Sequence, residues 1–355
     1  MEHFEEYKKQ DEPEKTKKAE NWGIAIGLQK VDSLTPSPYL ISLAKDNIEG
    51  KISIDEAGEQ VRQYYKDNPA KTHKEQNEKE ADEVSQRITK LLSTHTFSFS
   101  PAEFISIHRA LFTGIFDKEI AGKIRTYDIT KEEPILNGDT VIYGRSDSIM
   151  ETLDYDFSQE KKFNYRGLSK REKVEQLAKF TSGIWQIHPF GEGNTRATAV
   201  FIIKYLYTLG FQVNNDLFER HSKYFRNALV RANYQNMEQD IYYTMDYLNK
   251  FFGNLLLGEN NPLDNKEMQL KNRVSVAEDK KSKEKSKEKS KEKSKEKSKE
   301  KILHALAEDN HITTKELAEK TSLSVSGIEK NLKQLKQEGR IHRIGPDKGG
   351  YWEII

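Results

Sequence analysis

No cysteine occurs anywhere in the 355 residues, so disulfides and thiolate metal sites are excluded. Long apolar runs are missing as well. The longest, "ATAVFII" at 197–203, stops at Lys204 and is far too short to span a bilayer. An apolar signal segment is also absent from the first residues, "MEHFEEYKKQDEPEKTKK", which mix both charges. These absences lead us to expect a soluble cytoplasmic protein with no membrane partner. Excess charge is lacking too, since the net is only +1, but that balance hides an asymmetry. Residues 280–301 hold twelve Lys and five Glu, a local +7, so the rest of the chain sums to −6. Partner arguments from charge must therefore be local.

What is present begins with organisation. "SKEK" is repeated five times over 282–301. Without an apolar residue it cannot bury a face, and its period of four sets like charges at i,i+4, which opposes an isolated helix. It reads as a solvated spacer between a large body and a small C-terminal module. In the body, "SPAE" (100–103) and "SKRE" (169–172) have capping-box spacing. After the second, Val174, Leu177, Phe180, Ile184 and Ile187 make a helical stripe that ends at His188 and Pro189. The next segment, Thr195–Leu209, is apolar nearly all round apart from Arg196 and Lys204, as a central helix would be; Gly210 ends it. Only 124–143 reads as strand, with Asn137-Gly138 as a hairpin turn signal.

Between the two helical stretches lies "HPFGEGNTR", residues 188–196. A loop that feeds a helix N-terminus presents unpaired N–H groups and a positive dipole end, which together suit an anion. Gly191 and Gly193 permit close backbone approach, Asn194 donates without charge, and Arg196 offers a fork of donors to phosphate oxygens. Glu192 would be repelled by phosphates unless a cation lay between them, as Mg²⁺ held by one carboxylate and phosphate oxygens does. His188 can then act as a general base. The set points to phosphoryl or nucleotidyl transfer onto a hydroxyl.

The nine residues resemble the signature of the Fic (Fido) family, written HPFx[D/E]GN[G/K]R, with Thr195 as the departure. The likeness extends over roughly 20–255, where the strand-like 124–143 occupies the place of the family's target-binding flap. It implies a mainly α fold, a helical core with a β-hairpin flap, plus the small C-terminal module. The implied activity is transfer of AMP from ATP to a Tyr, Ser or Thr hydroxyl of a target protein. His188 would deprotonate the hydroxyl and Glu192 would hold Mg²⁺. Gly191, Gly193, Asn194, Thr195 and Arg196 would surround the phosphates, and Phe190 would anchor the loop. "YFRNALVRAN" (224–233) resembles the stretch that lines the adenine pocket, giving Tyr224, with Phe225 as its rival, and Asn233. A flap edge could hold a target segment by strand addition.

Many relatives carry an inhibitory helix whose Glu pairs with a second arginine, three positions after the first. That position is Ala199 here. Residues 21–57 resemble the antitoxin-like module. Aligning "AIGLQKVDSLTPS" sets Asp32 at the Glu position, with Leu28 where Ser or Thr is usual; a rival register uses Glu49-Gly50. The Asp32 register is preferred because "LTPSP" and "GKISIDEA" also fit. Both altered positions leave two alternatives: inhibition weakened or achieved differently, or a changed donor nucleotide.

Residues 302–355 show three helical patterns, with Ile328, Leu332 and Leu335 on the third, and then a strand-rich end with Gly349-Gly350 near its bend. This resembles a winged helix-turn-helix. Eight Lys/Arg against eight Asp/Glu give no net charge, so DNA, another protein or a second copy of the chain all remain open as partners. The expected domains are 1–70 (regulatory), 71–275 (catalytic core), 276–301 (linker) and 302–355 (winged helix). Two rivals to AMP transfer stay open: another phosphoryl or nucleotidyl transfer on the same scaffold, and a nucleotide-sensing DNA-binding regulator.

Overall fold

The computed structural model describes residues 3–9, 11–211, 216–270, 298–321, 323–344 and 351–355. The chain divides into two compact units, Met1–Leu270 and Lys271–Ile355. In the first, α1 (Glu5–Lys8), α2 (Pro13–Gln29), α3 (Pro38–Ile48), α4 (Ile54–Asp67) and α5 (His73–Ser93) precede the catalytic candidates. Then follow α6 (Pro101–Phe112), α7 (Ile149–Lys162), α8 (Lys170–Ile187), α9 (Asn194–Thr208), α10 (Asp216–Asn233) and α11 (Asp246–Leu257). Ser169 and Glu172 form the expected capping box of α8; Ser100 caps α6 but Glu103 does not return the bond. Two further boxes, Ser53/Glu56 and Thr72/Glu75, start α4 and α5.

The centre of the unit is α9. All its residues from Asn194 to Leu206 are buried, and its two charges are each paired. Lys204 donates 2.8 Å bonds to the carbonyls of Leu91 and Thr94, so it caps the end of α5. The α8 stripe from Val174 to Ile187 packs into the same core. So do Ile24, Ala25 and Leu28 of α2. Residues 1–70 are thus not a separate domain; α2 is part of the main core, while Trp22, Ile26 and Leu40 share a satellite cluster with Phe4 and Tyr65.

The expected hairpin at 124–143 is corrected. None of these residues forms strand pairing. Pro134 lacks an N–H and starts a 3₁₀ turn (Pro134–Leu136), and Asn137 and Gly138 take positive φ of 58° and 92°. The turn closes through Glu133 N–H to Asp139 O at 2.9 Å, but Lys131 N–H then donates to the Thr140 hydroxyl instead of a backbone carbonyl. A side chain has taken the place of a ladder bond. The result is an extended flap with a tight turn.

The C-terminal unit has α12 (described over 298–308), α13 (Thr314–Thr321), α14 (Val325–Gln337) and the antiparallel strands β1 (Ile341–Ile344) and β2 (Tyr351–Ile354). Ile302, Leu306, Leu317, Ile328, Leu335 and Trp352 form its core. Most of the spacer and the Gly349-Gly350 bend lie outside the described residues. The expected boundary at 302 moves, because 298–301 are already helical and Lys299 gains an ion pair with Glu338.

α2 lies against α10 at backbone contact. A Cβ on Gly27 would fall 2.6 Å from Phe218 O and closer still to Glu219 Cα. Gly27→Ala would gain about 1 kcal/mol of helix propensity, but fixed backbone cannot yield, and overpacking costs about 1–3 kcal/mol. Denaturant unfolding should show a net loss of stability.

Candidate functional site

His188 caps the C-terminus of α8 in the left-handed region, φ 51° and ψ 58°. That is uncommon for a non-glycine residue, and it turns the chain sharply into the loop 189–193. Arg125, from the flap, holds this turn. Its backbone N–H donates to Pro189 O at 2.9 Å. Its buried guanidinium donates to the carbonyls of His188 (2.8 Å), Tyr127 (2.6 Å), Ile187 (3.3 Å) and Gly144. The last carbonyls of a helix lack partners within the helix, and Arg125 supplies them.

The loop is braced from below by His108 of α6. Gly122 N–H donates to its Nδ1 at 2.9 Å, so the proton sits on Nε2, which donates to Glu192 O at 2.9 Å. The ring stacks on Phe190, centroids 3.7 Å apart. Asn194 closes the loop from above, with Oδ1 accepting from Phe190 N–H (3.0 Å) and Nδ2 donating to Phe190 O (2.7 Å). Gly193 is the N-cap of α9 at φ 74°, without a side-chain cap; a Cβ there would fall 2.6 Å from Phe112 Cζ. The helix N-terminus is left uncapped by any side chain.

His188 itself is buried, with Tyr143 4.2 Å and Trp185 5.3 Å from its ring centroid. Its Nδ1 lies 3.2 Å from Trp185 O. A carbonyl can only accept, so Nδ1 carries the proton and Nε2 keeps its lone pair. Burial drives the His188 pKa well below the usual 6.5, and the charges of Lys131, Arg125 and Arg226 add to this against the Trp185 carbonyl. The imidazole is neutral at pH 7.

Residues 98–206 match the family model described as Fic/DOC family. The likeness to the Fic/DOC family is carried by residues 98–206. Residues 295–342 match a model described as winged helix-turn-helix DNA-binding. Among solved structures, BepC from Bartonella tribocorum with bound AMPPNP is 21% identical over 53% of this chain and 89% of that one, at a TM-score of 0.41. A Bartonella quintana Fic domain with bound ADP is 20% identical over 53% and 87%, at 0.42. A Fic family protein from Desulfovibrio desulfuricans G20 is 12% identical over 95% and 87%, at 0.45. No curated protein matches the chain. No helix among the described residues is long and apolar enough to cross a membrane.

Within the first unit the expected residues separate. His188, Gly191, Glu192, Gly193 and Asn194 share the loop. Glu192 exposes its carboxylate but pairs with Lys131 of the flap at 3.1 Å. Thr195 turns inward, its hydroxyl accepting from Trp185 Nε1 at 3.0 Å; only its backbone faces the loop end of α9. Tyr224 does not reach the site: it is buried, donates to Tyr247 O at 3.3 Å and packs near Phe251. Its rival Phe225 is equally buried. Asn233 does line a depression of about 390 Å³, with Thr140, Gln186, Tyr234 and Tyr243.

Arg196 is buried and held by three side chains. Asp32 Oδ2 lies 2.8 Å from its Nε, at ion-pair distance but off the line of a hydrogen bond. Nη2 donates to Glu80 Oε1 at 2.7 Å, Nη1 to Gln29 Oε1 at 3.1 Å, and the plane stacks on Phe112. Asp32 thus meets the first arginine of the motif, while Ala199, at the second arginine's place, is wholly buried. Glu80, Gln29, Lys131, His108 and Arg125 were not singled out by the sequence, because each lies at least 60 residues from its partner in the motif.

The bonds around His108 have a pH consequence. Burial, with a further contribution from Arg196, lowers its pKa to about 4, against the bond to Glu192 O. A depressed pKa means the neutral ring stabilises the fold above the unfolded value near 6.5, and that stability is lost as pH falls towards 4. The shift corresponds to on the order of 3 kcal/mol. Denaturant unfolding at pH 7 and at pH 4 should show a smaller acid loss for His108→Gln than for the parent chain.

Proposed function

We propose that the Fic/DOC domain transfers AMP from ATP to a Tyr, Ser or Thr hydroxyl of a target protein. The single observation that carries this reading is the tautomer of His188. With Nδ1–H committed to Trp185 O, Nε2 is a fixed acceptor one short loop before the uncapped start of α9. Nε2 takes the hydroxyl proton, the hydroxyl oxygen attacks the α-phosphorus, and the bond to the β-phosphate breaks to release pyrophosphate. Phosphates at the α9 N-terminus meet its positive dipole end, with Asn194, Gly191 and Gly193 shaping the loop and Arg196 within the first turn.

The donor set suits a magnesium nucleotide. Glu192 is one exposed carboxylate, which fits Mg²⁺ only together with phosphate oxygens and water; the cation would neutralise charge between the phosphates. Lys131 occupies that carboxylate here and would be released to the phosphates. A base with so low a pKa is a poor proton acceptor. Burial is the main cause of that depression, but phosphates brought beside His188 would offset the part contributed by Lys131, Arg125 and Arg226, so basicity would rise with nucleotide in place.

Outside this chemistry, the winged helix has a family model that names DNA binding. Lys330, Lys333 and Lys336 set three cations on the exposed surface of α14, where phosphates of a duplex would lie.

Incubation with ATP labelled at the α- or γ-phosphate tests the transfer. The α-label should appear on protein, and His188→Ala should cut incorporation by about 10²–10⁴ with nucleotide affinity nearly unchanged. Glu192→Ala should remove the magnesium dependence of ATP affinity in calorimetry. Incorporation of the γ-label would assign phosphorylation instead.

A further inference from the structure

Glu133 joins the turn of the flap to the ring beside His188. Its backbone closes the turn, donating to Asp139 O at 2.9 Å and accepting from Leu136 N–H (2.9 Å) and Gly138 N–H (3.1 Å). Its carboxylate is completely buried and is gripped bidentately by Arg226 of α10, Nη1 to Oε2 at 2.6 Å and Nη2 to Oε1 at 3.0 Å. The same Oε1 accepts from the Tyr143 hydroxyl at 3.4 Å. Tyr143 is buried in turn, and its ring lies 4.2 Å from that of His188.

A carboxylate without solvent survives only if its charge is met by hydrogen-bonded partners. Arg226 meets it with two bonds of fixed planar geometry, so the pair has one arrangement. Burial acts to lower the Arg226 pKa, but the charge of Glu133, helped by Asp32, holds it above the ordinary value. The rest of the flap is tied independently. Tyr234 OH donates to Asp139 Oδ2 at 2.6 Å, Leu270 N–H to Ile135 O at 2.8 Å, and Gln186 Nε2 to Ile142 O at 3.1 Å. Those contacts set the turn and the outer edge. Glu133 connects them to the ring against which His188 rests.

We propose that Glu133 and Arg226 are positioning residues, which hold Tyr143 over His188 and so fix the imidazole for proton transfer. The inference rests on His188 acting as the base. Neither residue need touch nucleotide or target. The ring of His188 has Trp185 at its edge and Tyr143 across 4.2 Å, so a displaced Tyr143 frees it to rotate away from the Trp185 carbonyl. Misplacement by about 1 Å can cost on the order of 10²-fold in rate.

Selective ¹⁵N labelling of histidine in the full chain reads this without a known target. His188, assigned by comparison with His188→Ala, should show the pattern of a single Nδ1–H tautomer. Glu133→Gln and Arg226→Gln should each lower the melting temperature, because each leaves one buried charge unmet. The double variant Glu133→Gln/Arg226→Gln should recover most of that loss, yet its His188 signals should depart from the single-tautomer pattern. Tyr143→Leu, which leaves the ion pair intact, should produce the same departure. In α-labelled ATP incorporation the double variant should fall about 10²-fold at unchanged nucleotide KM. Native His188 signals in the double variant or in Tyr143→Leu would overturn the proposal, as would a raised KM at native turnover, which would make Arg226 a nucleotide ligand. The nitrogen spectra decide the positioning whether or not AMP is transferred; failure of label incorporation in the parent chain would count against the proposed reaction alone.

Discussion

One guanidinium organises the first unit. Arg196 is nearly inaccessible to water, and a buried cation must find partners. It finds them on three elements far apart in sequence: Gln29 at the end of α2, Asp32 in the 3₁₀ turn Lys30–Asp32 that follows, and Glu80 on α5. Stacking on Phe112 fills its remaining face. The N-terminal helices are thereby fastened to the first turn of the central helix, at the place where the motif would need a cation for phosphate. Carboxylates and phosphates are rivals for the same donors. If nucleotide binds as proposed, its phosphates would have to displace two carboxylates, Asp32 and Glu80, from one guanidinium.

The loop before that helix is fixed by backbone carbonyls. Arg125 gathers the free carbonyls at the end of α8, His108 takes Glu192 O from below, and Asn194 bonds Phe190 from both ends of its amide. Apart from the Asn194 amide, these contacts use none of the groups assigned to chemistry. The Glu192 carboxylate stays exposed and the α9 N-terminus stays without a side-chain cap while the loop backbone is held, which is the division of labour expected of a preorganised site. The flap contributes to both sides of this division, through Arg125 on the carbonyls and Lys131 on the carboxylate.

Local features were legible in the sequence. The α8 stripe, the buried character of α9 with Arg196 and Lys204 as its interruptions, the Ser169 capping box and the Ile328–Leu332–Leu335 face all depend on spacing within one element. The site loop was legible for the same reason. Position 32 was reached through the family resemblance, although its partner is Arg196 and not the residue at 199. The reading failed where tertiary contact overrides local preference. Asn137-Gly138 does make a turn, but Pro134 and the Thr140 hydroxyl take the place of ladder bonds, so no hairpin forms. Tyr224 has the composition of a pocket residue, yet the α10–α11 packing buries it. Glu80 and Glu133 look like any surface acids in sequence; only the fold reveals that each meets an arginine.

If nucleotide binds as proposed, Asp32 and Glu80 compete with its phosphates for Arg196. Calorimetry of ATP binding to the full chain carrying Asp32→Asn and Glu80→Gln tests it most directly. Each replacement keeps size and hydrogen-bonding capacity while removing a charge, and a charge-assisted bond contributes about 1.5–3 kcal/mol. The account predicts ATP affinity at least tenfold tighter in the double variant than in the parent chain, with AMP much less affected. Equal or weaker ATP affinity in a folded double variant would contradict it.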